Sequence, residues 1–109
     1  MRNAVSRSLA RNATYLGEAR VRGRLYRVQG YVGLKQSRGE EWVIGELYRL
    51  HDPPAFLPVL DEYEGSDYDR IETIAATEDG KQMRVWLYAY KGPVDEESRI
   101  LSGDFLSQT

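Results

Sequence analysis

The stretch Arg70-Ile71-Glu72-Thr73-Ile74-Ala75-Ala76-Thr77, then Glu78-Asp79-Gly80, then Lys81-Gln82-Met83-Arg84-Val85-Trp86-Leu87-Tyr88-Ala89-Tyr90 sets the fold class. β-Branched and aromatic residues recur in both arms, and such side chains fit a pleated, half-buried surface. Asp-Gly between two such arms is the strongest short hairpin signal, because glycine accepts the positive φ of a tight turn. Residues 70–77 and 81–90 are therefore expected as antiparallel neighbours. So short a connection excludes a parallel crossover between them.

Working back toward the N-terminus, residues 41–50 (Glu-Trp-Val-Ile-Gly-Glu-Leu-Tyr-Arg-Leu) carry apolar groups on both faces. Such a strand is usually central, or rolled into a barrel. A helix follows, with Asp52 as N-cap and Pro53 at the first helical position. Phe56, Leu57, Leu60 and Tyr63 mark its buried face, and Gly65 stands just past its end. Pro58 removes a backbone bond inside it, so a kink or a 3₁₀ first turn is expected. Earlier still, Ala19, Val21, Gly23 and Leu25 alternate with Arg20, Arg22 and Arg24, which gives a strand over 15–28 with a bulge or bend at Gly23. Residues 2–14 place Val5, Leu9, Ala10 and Ala13 at helical spacing. Gly30-Tyr31-Val32-Gly33 is read as a loop, Leu34–Gln36 as a short strand and Ser37-Arg38-Gly39 as a turn. Residues 92–109 read as an irregular polar tail. The fold class is α+β: one domain over 1–109, with a small, mainly antiparallel rolled sheet or barrel and one or two helices.

Composition narrows the function. The 109 residues have a formal charge of −2, 41% hydrophobic and 29% charged residues, ordinary values for a globular chain. No apolar run is long enough to span a bilayer, and the N-terminus lacks the apolar segment of a secretory signal, so a cytoplasmic location is expected. With no cysteine and one histidine, thiolate nucleophiles, Cys-based metal sites and a multi-His metal site lose their ligands, and no cofactor is expected. Residues 1–39 hold nine basic residues and one acid, while 40–109 hold six basic and sixteen acidic ones. An Arg-rich front half raises nucleic-acid binding. The alternative is that the halves fold against each other with the Arg heads solvated, and that reading, with no nucleic-acid partner, is adopted.

No phosphate loop, dinucleotide fingerprint, zincin or nucleophile-elbow motif occurs. His51 directly precedes the helix cap and is read as a surface residue. The eight tyrosines would suit a pocket or an RNA platform, but tyrosine is also a normal strand residue. The informative segment is Leu60-Asp61-Glu62-Tyr63-Glu64-Gly65. Glu64 lies four positions from Leu60 and so shares its buried face, while Asp61 and Glu62 are expected to point to solvent. In the last helical turn the dipole disfavours a carboxylate charge, and apolar surroundings act in the same direction. A carboxylate so placed suits a general base near neutral pH.

Tyr15–Ala19, Val21–Tyr26, Gly30–Leu34, Val43–Tyr48, Leu60–Gly65, Tyr68-Asp69-Arg70, Val85–Tyr90 and Ser102-Gly103-Asp104-Phe105 together resemble the gamma-glutamylcyclotransferase-like family in order and spacing. The resemblance implies a small barrel-like fold and a cofactor-free reaction. In it the substrate's α-amine attacks its own γ-glutamyl carbonyl, closing 5-oxoproline and releasing the amine partner. It maps the catalytic glutamate onto Glu64, the loop at the pocket mouth onto Gly30–Gly33 with Tyr31 and Gly33 as substrate contacts, and an aromatic neighbour onto Tyr68. Val32 stands where the family usually has proline. The family's opening strand, ending Tyr-Gly-Ser/Thr-Leu-Arg and holding the γ-glutamyl head, has no counterpart here, because Ser6-Arg7-Ser8-Leu9 lies inside the predicted helix. The expectation is a bare sheet edge and a homodimer paired through it. Two other functions stay open: a non-catalytic, N-terminally shortened member that binds a ligand or protein, and a small Arg/Tyr-rich barrel that binds RNA.

Overall fold

The structure, a computed structural model, describes residues 9–105. Residues 9–12 are helical (α1), so the helix expected over 2–14 is seen at its end, and residues 1–8 lie outside the described residues. Strand β1 (Ala13–Val28) takes over at Ala13, where Leu9 and Ala13 are buried with Phe56.

β1 is the axis of the sheet. β2 (Tyr31–Gln36) pairs with its second half from Val28↔Tyr31 to Gly23↔Gln36, and β3 (Trp42–Leu50) with its first half from Arg22↔Trp42 to Ala13↔Leu50. Both pairings are antiparallel, and residues 37–41 bridge between them along β1. Gly23 marks this change of partner: its N–H donates to the Glu41 carbonyl at 3.1 Å. A Cβ there would stand 2.8 Å from the Lys35 carbonyl oxygen. The bulge expected at Gly23 lies instead between Tyr15 and Gly17, where the register shifts and Gly17 has φ +122°. At that site only glycine adopts the backbone without strain.

A second correction concerns Gly30–Gly33. The turn is confined to Gln29 (φ +48°) and Gly30 (φ +83°), two positive-φ residues as a two-residue hairpin requires. Tyr31, Val32 and Gly33 already belong to β2. Gly33 is tolerated in that strand because Tyr90 occupies the space of its missing side chain.

Helix α2 (Pro53–Glu64) begins as expected: the Ala55 N–H donates to Asp52 Oδ1 at 3.4 Å, and proline opens the first turn. It is α-helical throughout, so the 3₁₀ first turn is not found. Pro58 and Pro54 are exposed, which leaves the carbonyl that Pro58 cannot bond open to water. Phe56 and Leu57 are buried, while Leu60, Tyr63 and Glu64 are half-buried along the same side.

β4 (Tyr68–Thr77) and β5 (Gln82–Tyr90) form the expected hairpin, turning through Gly80 at φ +84°. β4 joins the other side of β1 at Ala19↔Thr77 and Arg20↔Ala76. Within the segment read as a tail, Glu96–Ser98 form a 3₁₀ turn and β6 (Arg99–Ile100) pairs with β1 at Leu25 and Tyr26. Among the described residues the result is a mixed α+β fold with a six-stranded sheet of antiparallel pairings and two α-helices. Covered on both sides, β1 buries consecutive residues, Leu25 at 1% and Tyr26 at 2% exposure. The end of β5 returns to β2 at Gly33, which rolls the sheet.

Candidate functional site

Glu64 is the last residue of α2. The Gly65 N–H donates to the Asp61 carbonyl at 3.1 Å, and Gly65 adopts φ +82°, so the chain leaves the helix sharply and starts β4 at Tyr68. Asp61 and Glu64, three residues apart, occupy neighbouring positions on one helix face. Asp61 is exposed as expected, but its carboxylate is not without partners. Its Oδ1 accepts from the Tyr88 hydroxyl at 2.6 Å, and its Oδ2 lies 3.4 Å from Arg70 Nη1. These contacts tie the last turn of the helix to both strands of the β4–β5 hairpin.

The hairpin register explains why both strands are available. Arg70 pairs with Tyr88 and Tyr68 with Tyr90, so all four side chains share one face of the hairpin. Burial pushes the Tyr88 phenol well above its ordinary pKa, and the bond to Asp61 adds to the shift. The charge of Glu64 acts on the same hydroxyl and raises it further, which places Glu64 in the electrostatic neighbourhood of Tyr88. Near neutral pH Tyr88 is therefore a protonated donor, held by the Asp61 carboxylate and within the field of the Glu64 charge.

Tyr68 and Gly33 meet around a neighbouring ring. The Tyr68 hydroxyl donates to the Val32 carbonyl at 3.3 Å, the Tyr68 and Tyr90 rings pack edge-to-face at 5.5 Å, and Gly33 seats Tyr90. Lys35 Nζ lies 5.3 Å from the centroid of that ring. Tyr31 opens β2 at 53% exposure, at the rim of this group. Of the residues expected at the site, Tyr68 and Gly33 are thus brought together through Tyr90, while Glu64 is linked to Tyr88 two residues along β5. His51 is exposed, its Nε2 at 2.9 Å from Thr14 Oγ1, and far from this group in the fold's register. Among the described residues, no three His, Asp or Glu side chains gather as a metal site.

Sequence reasoning missed Asp61, Arg70 and Tyr88. The three-residue spacing of Asp61 and Glu64 was a signal in the sequence; the pairing of Arg70 with Tyr88 was not, because it depends on the length of the turn around Asp79.

The family model described as Gamma-glutamyl cyclotransferase, AIG2-like, matches residues 1–107. The chain belongs to this family. The crystal structure of an uncharacterized protein from Pyrococcus horikoshii has the same fold, with a TM-score of 0.66 at 23% identity over 91% of this chain and 76% of that one. No curated protein matches the chain. For a member of this family, the arrangement around Glu64 puts a carboxylate, a high-pKa phenol and an Arg-paired aspartate within one helix turn and one hairpin. Two cavities lie elsewhere: one between the Tyr15–Gly17 bulge and the β4–β5 turn, the other beside β1 and β6. Neither is lined by Glu64, Tyr31 or Tyr68. No described helix is long and apolar enough to cross a membrane.

Proposed function

We propose that this chain cyclises a γ-glutamyl amine to 5-oxoproline and releases the amine, with Glu64 as general base and Tyr31, Gly33 and Tyr68 as substrate contacts. The observation that carries the reading is the half-buried Glu64 at the end of α2, one helical turn from the Asp61 that fixes the Tyr88 hydroxyl. In the reaction, the Glu64 carboxylate removes a proton from the substrate's α-ammonium. The freed amine attacks the γ-carbonyl carbon to form a five-membered ring and a tetrahedral intermediate. Attack leaves the ring nitrogen with two hydrogens and a positive charge. The bond to the leaving nitrogen breaks as Glu64 returns the first proton to it. Glu64 then takes the second proton from the ring nitrogen and passes it to the released amine, which departs as an ammonium, so no electron donor or acceptor is needed. Ring closure is intramolecular, which removes much of the entropic barrier. Proton transfer by one positioned carboxylate supplies a factor of about 10²–10⁴. Tyr88, held as a donor by Asp61, keeps the region polar without competing for the proton.

Incubation of the purified chain with a panel of γ-glutamyl amines, with 5-oxoproline quantified by mass spectrometry, tests the reading. Release of 5-oxoproline and amine in equal amounts is the expected result, and no release from any substrate overturns it. A second reading, a ligand- or protein-binding member without catalysis, is favoured by the Arg-lined cavity beside β1 and β6, which Glu64 does not line. It predicts ligand-dependent thermal stabilisation with no product. As part of the same proposal, β5 pairs only with β4 among the described residues, and the part of its other edge before Tyr90, where β2 is not yet met, serves a second copy of the chain. A monomer mass that is independent of concentration across the micromolar range would refute the dimer.

A further inference from the structure

Beside β1, away from Glu64, a cavity of about 240 Å³ is lined on its charged side by Arg20, Arg24, Arg99 and Glu41 and on its apolar side by Trp42 and Ile44. The sequence explains this gathering. Strand alternation puts Arg20, Arg22 and Arg24 on one face of β1, and the antiparallel pairing Tyr26↔Arg99 brings β6 alongside. Trp42 pairs with Arg22, whose guanidinium lies 3.8 Å from the indole centroid, with that of Arg20 at 5.3 Å.

The charges in this cavity do not balance. Glu41 is committed to Arg24 at 3.1 Å and accepts from Ser37 Oγ as well. The nearby Glu96 takes the hydroxyl of the buried Tyr26 at 2.7 Å. Arg20 and Arg99 enter no ion pair among the described residues, although Arg99 is half-buried and contributes to the field on Glu41. Three guanidinium groups thus face one cavity with one carboxylate. A half-buried guanidinium without an anion is costly, and a bound dianion removes that cost.

We propose that this cavity binds a small-molecule phosphate monoester, its phosphate between Arg20, Arg24 and Arg99 and its carbon body against Trp42 and Ile44. A phosphate monoester carries about −1.5 to −2 charge at neutral pH and so neutralises the excess of two, where a monocarboxylate leaves one cation bare. The planar fork of arginine matches phosphate oxygens in a bidentate way. The volume lies below the ~300–1,000 Å³ of pockets for drug-sized ligands, which suits one head group with a compact body. A single head-group site also differs from a nucleic-acid track, which repeats phosphate contacts along a groove.

The test uses Trp42 as reporter in a Trp86→Phe background, since the chain has two tryptophans. Fluorescence and isothermal calorimetry are recorded together at low ionic strength with inorganic phosphate, ribose 5-phosphate, ribose, succinate and oligothymidylates of increasing length. Saturable binding of phosphate and ribose 5-phosphate, with none of ribose, is the expected result. Arg20→Gln and Arg99→Gln should each weaken it about tenfold or more, the loss of one charged hydrogen-bond partner. A thermal melt of each variant checks folding. Should Arg99→Gln fail to fold, the exposed Arg20 carries the test through Arg20→Gln. No saturable binding of either phosphate probe overturns the proposal. So does succinate binding as tightly as phosphate, or affinity that grows with oligonucleotide length.

Discussion

Replacing Gly33 with alanine adds one methyl group at the point where β2 meets β5. Its Cβ would lie 2.9 Å from Tyr90 Cβ, 3.1 Å from Tyr90 Cγ and 3.2 Å from Val28 Cγ2. Carbon atoms pack best at about 3.5–4.0 Å, so all three contacts are repulsive. Tyr90 has little freedom to yield, because Tyr68 meets its ring edge-on and Lys35 lies over it. The φ of Gly33 is negative, so the backbone itself accepts alanine and the cost is steric. Overpacking of this kind costs about 1–3 kcal/mol. For a domain near this size, each kcal/mol moves Tm by roughly 4–8 °C, so a fall of about 4–24 °C is expected in thermal unfolding followed by circular dichroism. Gly45→Ala is the matched control. It also lies in a strand at negative φ, but nothing stands within 4 Å of its added Cβ. Its Tm should stay level or rise, because alanine loses less entropy than glycine on folding. Equal Tm values for Gly33→Ala and the native chain would refute the closure of the sheet through Tyr90.

Three further outcomes follow from the same contacts. Tyr88→Phe removes the donor to Asp61, a partly exposed bond worth about 0.5–1.5 kcal/mol, and a double-mutant cycle with Arg70→Gln should show coupling through Asp61, whereas strict additivity would deny the shared contact. The Glu41 carboxyl is held below its usual value by hydrogen bonds from Arg24 and Ser37, so it stabilises the fold above its unfolded pKa and loses that contribution as pH falls through its folded pKa. Between about pH 5 and about pH 3 the native chain should therefore lose more Tm than Arg24→Gln, and parallel curves would contradict the assignment. Pro58→Ala restores an N–H to bond the Pro54 carbonyl on an exposed helix face and should raise Tm by several degrees, where a fall would show that the proline is needed in place.

Much of this fold was legible because the strongest local signals agree with one another. Asp79-Gly80 marked the hairpin, Asp52-Pro53 the helix start, and the four-residue step from Leu60 to Glu64 placed that carboxylate on the half-buried side. What escaped was non-local. A two-residue turn at Asp79-Gly80 would pair Arg70 with Ala89, whereas the observed register pairs it with Tyr88, so one residue of loop length decides which side chain meets Asp61. Gly33 reads as a loop residue until Tyr90, far along the chain, is known to fill its space. Gly23 and Gly17 are alike in sequence, yet one marks a close approach of the Lys35 carbonyl and the other a bulge. The two residues of β6 are too few for any periodicity to show, and only their pairing with Leu25 and Tyr26 reveals them.

The central claim is that Glu64 is the base of a γ-glutamyl cyclisation. It is tested most directly by the rate of 5-oxoproline release in Glu64→Gln against the native chain, on whichever γ-glutamyl amine is turned over fastest. The side chains are nearly isosteric, and only the ability to take a proton is lost. A fall in kcat of about 10²-fold or more at little-changed KM is predicted. Release at a comparable rate from Glu64→Gln would contradict the claim.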